Sequence, residues 1–161
     1  MGVLTDKCAI QHLKKLAMEN KQLKYPNVPP EWLAPAIYKD KTANGLTKCI
    51  IDFLTFNGWQ AERINSTGRQ IDRRQTVTDV LGHSRIIGSH EWIKGSGVKG
   101  TADISATVAG RSIKIEVKIG ADKQSEAQCK YQSIVERAGG IYFIAKDFQG
   151  FYSWYFKTFQ L

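Results

Sequence analysis

The sequence predicts an α/β protein in which helices pack on a small mixed sheet. Three observations carry this. Helical and strand periodicities alternate along the chain. The segment Ile113-Lys114-Ile115-Glu116-Val117-Lys118 alternates apolar and charged residues strictly. Ile141-Tyr142-Phe143-Ile144-Ala145 is a short apolar run of buried-strand character that follows Gly139-Gly140. The order helix, strand, strand pair, helix, strand places helices against a sheet with both parallel and antiparallel neighbours.

Residues 6–24 read as a helix, capped by Thr5 or Asp6, with Ile10, Leu13, Ala17 and Leu23 on one apolar face. All four prolines fall between positions 26 and 35, where neither helix interior nor central strand tolerates them. Residues 1–40 are therefore expected to be an appendage on a stiff connector, and 41–161 the main domain. A second helix spans 43–57, with Leu46, Ile50, Phe53 and Leu54 inward and Asn57-Gly58 as its stop. Residues 59–65 alternate as a strand, and 66–100, rich in Gly, Ser and Arg, read as irregular. Within them 95–100 reads as the most flexible stretch. Two strands at 101–108 and 112–119 form a hairpin about Ala109-Gly110. Asp122 caps a third helix running to Ala138, with Ala127, Tyr131, Ile134 and Val135 on its apolar face. From Phe148 to Leu161 the chain is strongly aromatic, and its pattern fits helix and strand equally.

A chain of 161 residues with 42% hydrophobic and 24% charged residues suits one globular domain with its own core. No apolar run approaches the ~18 residues of a membrane span. The N-terminal stretch carries Asp6 and Lys7 and lacks a signal peptide's apolar centre. A soluble, intracellular, cytoplasmic protein without a membrane partner is expected. Cys8, Cys49 and Cys129 are odd in number and far apart, and with His12, His83 and His90 they form no zinc pattern. The formal charge of +8 favours a polyanionic partner without revealing the fold.

The chemistry concentrates in the hairpin. Alternate side chains of a strand share a face. Ile113, Ile115 and Val117 then face the core, and Lys114, Glu116 and Lys118 the other side. On the preceding strand Asp103, Ser105 and Thr107 share the face opposite Ile104, Ala106 and Val108. Pairing brings Asp103 beside Glu116 and sets two carboxylates and an ammonium together. Such a set suits phosphodiester hydrolysis. A hard cation accepts carboxylate oxygens and keeps waters, and a lysine nearby orients the water or counters developing negative charge. The same residues also fit an amphipathic hairpin that merely shows its charges to solvent.

The stretch Gly97-Val98-Lys99-Gly100-Thr101-Ala102-Asp103-Ile104, then Ile115-Glu116-Val117-Lys118, then Gln128 in a helix, resembles the PD-(D/E)XK nuclease pattern. Gly139-Gly140-Ile141-Tyr142-Phe143-Ile144 extends the likeness to the VRR-NUC subgroup, which includes stand-alone phage and bacterial nucleases, over residues 42–146. The resemblance implies a restriction-endonuclease-like three-layer α/β/α core on a small mixed sheet. It implies a divalent-metal-dependent endonuclease that hydrolyses DNA and selects branched or flapped structures. Asp103 and Glu116 would bind Mg2+ or Mn2+ with the Val117 carbonyl, Lys118 would be the catalytic lysine, and Gln128 would face the site. It also admits a homodimer. The family often places a further acid on its first helix, but the candidate position here is Asn44.

Nucleic acid is expected on the basic segment before the hairpin, through Arg63, Arg69, Arg73, Arg74, Arg85, Lys94 and Lys99. Trp92 either stacks on a base or anchors this segment. Two other classes fit the same sequence. One is a non-catalytic nucleic-acid-binding module. The other is an interaction protein that uses the aromatic tail.

Overall fold

The computed structural model describes residues 6–65, 68–93, 95 and 97–160. Its elements are α1 (Asp6–Lys24), a 3-10 turn (Pro30–Trp32), α2 (Ala43–Phe56), β1 (Gln60–Arg63), β2 (Arg69–Asp72), β3 (Gln75–Thr78), β4 (Ser84–Ile87), β5 (His90–Ile93), β6 (Ile104–Val108), β7 (Arg111–Val117), α3 (Glu126–Arg137), β8 (Ile141–Ala145) and α4 (Phe148–Phe159). The expected mixed α/β architecture is present. Thr5 and Lys94 lie outside the described residues.

The main sheet has the order β1-β6-β7-β8. The first two pairings are antiparallel and β7–β8 is parallel. Ala109 and Gly110 join β6 to β7 with φ of 47° and 75°. Two consecutive positive φ values make the tight hairpin turn whose twist matches its strands. Ile104, Ala106 and Val108 of β6 and Ile113, Ile115 and Val117 of β7 are buried together, as their alternation predicts. Helix α2 covers them with Leu46, Ile50, Phe53 and Leu54.

Several expectations are corrected. Helix α1 is not a detached appendage: Ala9, Leu13 and Ala17 are buried in the same core, and His12 Nδ1 meets the Tyr152 hydroxyl at 2.9 Å. Leu23, placed on the apolar face by periodicity, is exposed because the helix outruns the core there. The aromatic tail is helix α4, and Phe148, Phe151, Tyr152 and Tyr155 are buried around Phe53, with ring centroids at 5.8, 6.1, 5.5 and 5.1 Å from it. These aromatics fill the core, so the tail is not a free interaction surface.

The segment expected to be irregular is a long β-hairpin arm. Strand β2 pairs with β5 and β3 with β4, both antiparallel. Finally, α3 starts at Glu126 rather than Asp122, because Ser125 caps it. The helix has no fully buried residue: Ala127, Tyr131 and Val135 of the expected apolar face are only partly buried, and Ile134 is exposed.

Candidate active site

Glu116, on β7, is 1% exposed, and Lys118, the first residue past the end of β7, is 8% exposed. They are not the solvated charges of an amphipathic hairpin. Lys118 Nζ lies 3.1 Å from Glu116 Oε1 and donates to Gln128 Oε1 at 3.1 Å. Gln128 Nε2 donates in turn to Glu116 Oε1. The glutamine thus clamps both charged groups.

Its position follows from the local sequence. Ser125-Glu126-Ala127-Gln128 is a capping box: Gln128 N donates to Ser125 Oγ at 3.3 Å, and Ser125 N to Gln128 Oε1 at 2.9 Å. The same carbonyl oxygen therefore caps the helix and receives Lys118. Gly100 holds the preceding loop against this turn. Its φ is +84°, and a Cβ there would sit 2.3 Å from the Ala127 carbonyl oxygen. The stretch expected to be most flexible contains a turn, closed by Thr101 N on Val98 O at 3.2 Å.

Asp103 sits one residue before β6, at the position the hairpin register sets opposite Glu116. It is half-buried, and its Oδ2 accepts the Val117 N–H at 2.9 Å. The N–H and C=O of one strand residue point to the same neighbour. The Val117 carbonyl is therefore directed toward Asp103 as well, past the end of β6. Lys118 N instead donates across to Ala145 O at 2.9 Å, on the β8 side.

Burial pushes the Glu116 carboxyl above its ordinary range, and the Asp103 charge adds to this against the pull of Lys118. For Lys118 burial acts downward, but the Glu116 and Asp122 carboxylates outweigh it and hold the ammonium above its ordinary range. Lys118 therefore stays protonated at neutral pH. Glu116 and Asp122 set two carboxyl groups against this single ammonium, and Asp103 lies across from Glu116. Among the described residues no group of three or more His, Cys, Asp or Glu side chains is placed to hold a metal ion. Two carboxylates, one backbone carbonyl and water still match the donor set of a hydrated hard cation.

Two residues here were not assigned to the site from sequence. Asp122 Oδ2 lies 3.4 Å from Lys118 Nζ, so it serves the lysine instead of capping α3. The spacing of four residues was the available signal. The Tyr142 hydroxyl points at Glu116 Oε2 at 3.5 Å, at the outer limit of a hydrogen bond. Burial, then the Glu116 charge, push this phenol above its ordinary range. Alternation along β8 puts it on the Glu116 face.

The arginines expected to bind nucleic acid are spread over β1 and the arm. Arg63 ends β1, while Arg69, Arg73, Arg74 and Arg85 are strung along the arm. Arg73 is paired with Glu91, and Arg74 holds Asp72 through two bonds of 2.9 and 2.8 Å. Asp72 is accordingly held well below the usual carboxylate range. Arg63, Arg69, Arg85 and Lys99 have no ion pair among the described residues. Trp92 is largely exposed, yet it crosses the foot of the arm: a Cβ on Gly68 would lie 2.7 Å from its Nε1.

Comparison of the chain with protein-family models, curated proteins and solved structures found no match.

Proposed function

We propose that this protein is a divalent-metal-dependent endonuclease that hydrolyses DNA phosphodiesters, on a three-layer restriction-endonuclease-like core. The observation that supports it most is the buried Glu116–Lys118 pair, clamped by Gln128 and set beside Asp103. Burying a carboxylate and an ammonium is costly and adds little net stability. A hydrophobic pair would serve the fold better, so chemistry is the simpler reason for both charges.

In this reading Asp103, Glu116 and the Val117 carbonyl hold Mg2+ or Mn2+. When bound, the cation supplies an activated water and neutralises phosphate oxygens. Lys118 keeps its proton and places positive charge where negative charge develops in the transition state. Gln128 fixes the lysine and the glutamate in one geometry, and Asp122 keeps the lysine charged. Arg63, Arg69, Arg85 and Lys99 are the cations available to DNA phosphates, and branched or flapped DNA is the proposed substrate.

Titration calorimetry with Mn2+ tests the site. Wild type should bind, and Asp103→Ala should bind at least tenfold more weakly. Equal binding by the two proteins removes Asp103 from the metal site. Absence of binding by wild type favours a non-catalytic nucleic-acid-binding module instead.

A further inference from the structure

We propose that the hairpin arm is a self-association element, in which the outer edge of β4 and β5 pairs with the same edge of a second copy of this chain. The arm is one continuous ribbon. The pairs from Arg69↔Ile93 to Asp72↔His90 and from Gln75↔Ile87 to Thr78↔Ser84 keep a single register. Arg73 N donates to Ser89 O at 3.2 Å between the two stretches. A ribbon of two strands is marginal in water unless something covers it. Of the 13 exposed large apolar side chains among the described residues, seven belong to this arm. Val80 and Leu81 at the tip, Ile86 and Trp92 are all more than 60% exposed.

Charge points to the kind of partner. The arm carries four arginines against three acids, a net +1, in a chain of +8. Two arms meet with little repulsion, since Glu91 and Asp72 already engage Arg73 and Arg74. Apolar cores with few net charges are what protein interfaces present.

Backbone geometry then selects a second copy. The Arg73–Ser89 bond shows that odd-numbered residues face inward across the ribbon, so the N–H and C=O groups of Ser84, Ile86, His90 and Trp92 point outward. No bond reaches these N–H groups among the described residues. On the opposite edge Arg74 N is already taken by Asp72 Oδ1 at 3.0 Å. An edge strand related to its copy by a two-fold axis perpendicular to the sheet runs antiparallel to it. One row of outward groups is thus complementary to itself. Free edges of this kind are templates for pairing.

The proposal does not depend on the nuclease reading. Sedimentation equilibrium of the full chain at tens of micromolar should give twice 18.1 kDa, in low and high salt alike. Ile86→Pro removes an outward N–H without touching the internal ladder and should yield monomer. Thr76→Pro, the same change on the other edge, should leave the dimer. Ile86→Lys, at a position exposed in the monomer, should weaken the dimer at least tenfold without lowering the melting temperature of the monomer. Hydrogen exchange should show the Ile86 and His90 amides protected at high concentration and released on dilution. A monomeric wild type, or a dimer unmoved by both Ile86 substitutions, overturns the proposal. So does protection of these amides by added DNA alone.

Discussion

Lys118 separates catalysis from architecture better than any other residue. It is 8% exposed and bonded to Glu116 and Gln128, so replacing it is not a surface change. Lys118→Ala should cost about 1–3 kcal/mol, because Glu116 and Gln128 lose a partner in a buried place. It should lower the single-turnover cleavage rate by orders of magnitude while the protein stays folded at 25 °C. Lys118→Arg should not restore the rate, since a planar guanidinium does not fit the position of a compact ammonium. Glu116 gives a signal independent of activity. Its carboxyl is raised above the ordinary 4.5 in the fold, so between these values the native state binds more protons than the unfolded chain. Stability must then fall as pH rises through that window. Thermal melts in chelator should show this decline in wild type and lack it in Glu116→Gln. A flat profile in wild type would contradict the raised carboxyl.

Helix α3 depends on its first turn more than on packing, because none of its residues is buried. Ser125→Ala should cost about 1 kcal/mol of stability. It should also slow cleavage modestly, because the Gln128 N–H loses its Ser125 Oγ acceptor and the turn that seats Gln128 loosens, although Ser125 N still donates to Gln128 Oε1; a melt and a rate measured together would reveal both. Helix α4 is the opposite case. Phe151→Ala should cost about 3–5 kcal/mol, since the ring lies 1% exposed among aromatics. The difference explains what sequence made legible. The apolar periodicity of α2, β6 and β7 specified their burial, and strict alternation specified the Glu116 face. The capping box Ser125-x-x-Gln128 was also readable, but Asp122 offered a competing cap and only the Lys118 contact decides between them. The aromatic tail has no single face to read, because rings at many positions reach the core. The arm escaped detection for another reason. Its strands of four residues are mostly exposed, so they lack the buried alternation by which a strand is recognised.

At the scale of the molecule, charge is distributed differently from its sequence order. The segment that supplies the arginines also supplies the acids that pair with them, so local composition overstated the positive surface. Arg69→Ala or Arg85→Ala should each lower the slope of log affinity for DNA against log salt by about 0.9, the effect of one lost phosphate contact. Arg73→Ala and Arg74→Ala should change it less, because Glu91 and Asp72 already engage those side chains. Equal slopes for all four variants would place the phosphate contacts elsewhere. No helix among the described residues is long and apolar enough to cross a membrane. The site lies at the end of the β6–β7 hairpin opposite its turn.

The most direct measurement is single-turnover cleavage of labelled branched, flapped and linear DNAs by wild type and Lys118→Ala, each in Mg2+ and in chelator. Wild type should cut at least one branched substrate in Mg2+ and none in chelator, and Lys118→Ala should cut it orders of magnitude more slowly at equal DNA occupancy. Cleavage that persists in chelator, or a Lys118→Ala rate equal to wild type, would contradict the assignment of Asp103, Glu116 and Lys118 as the catalytic centre.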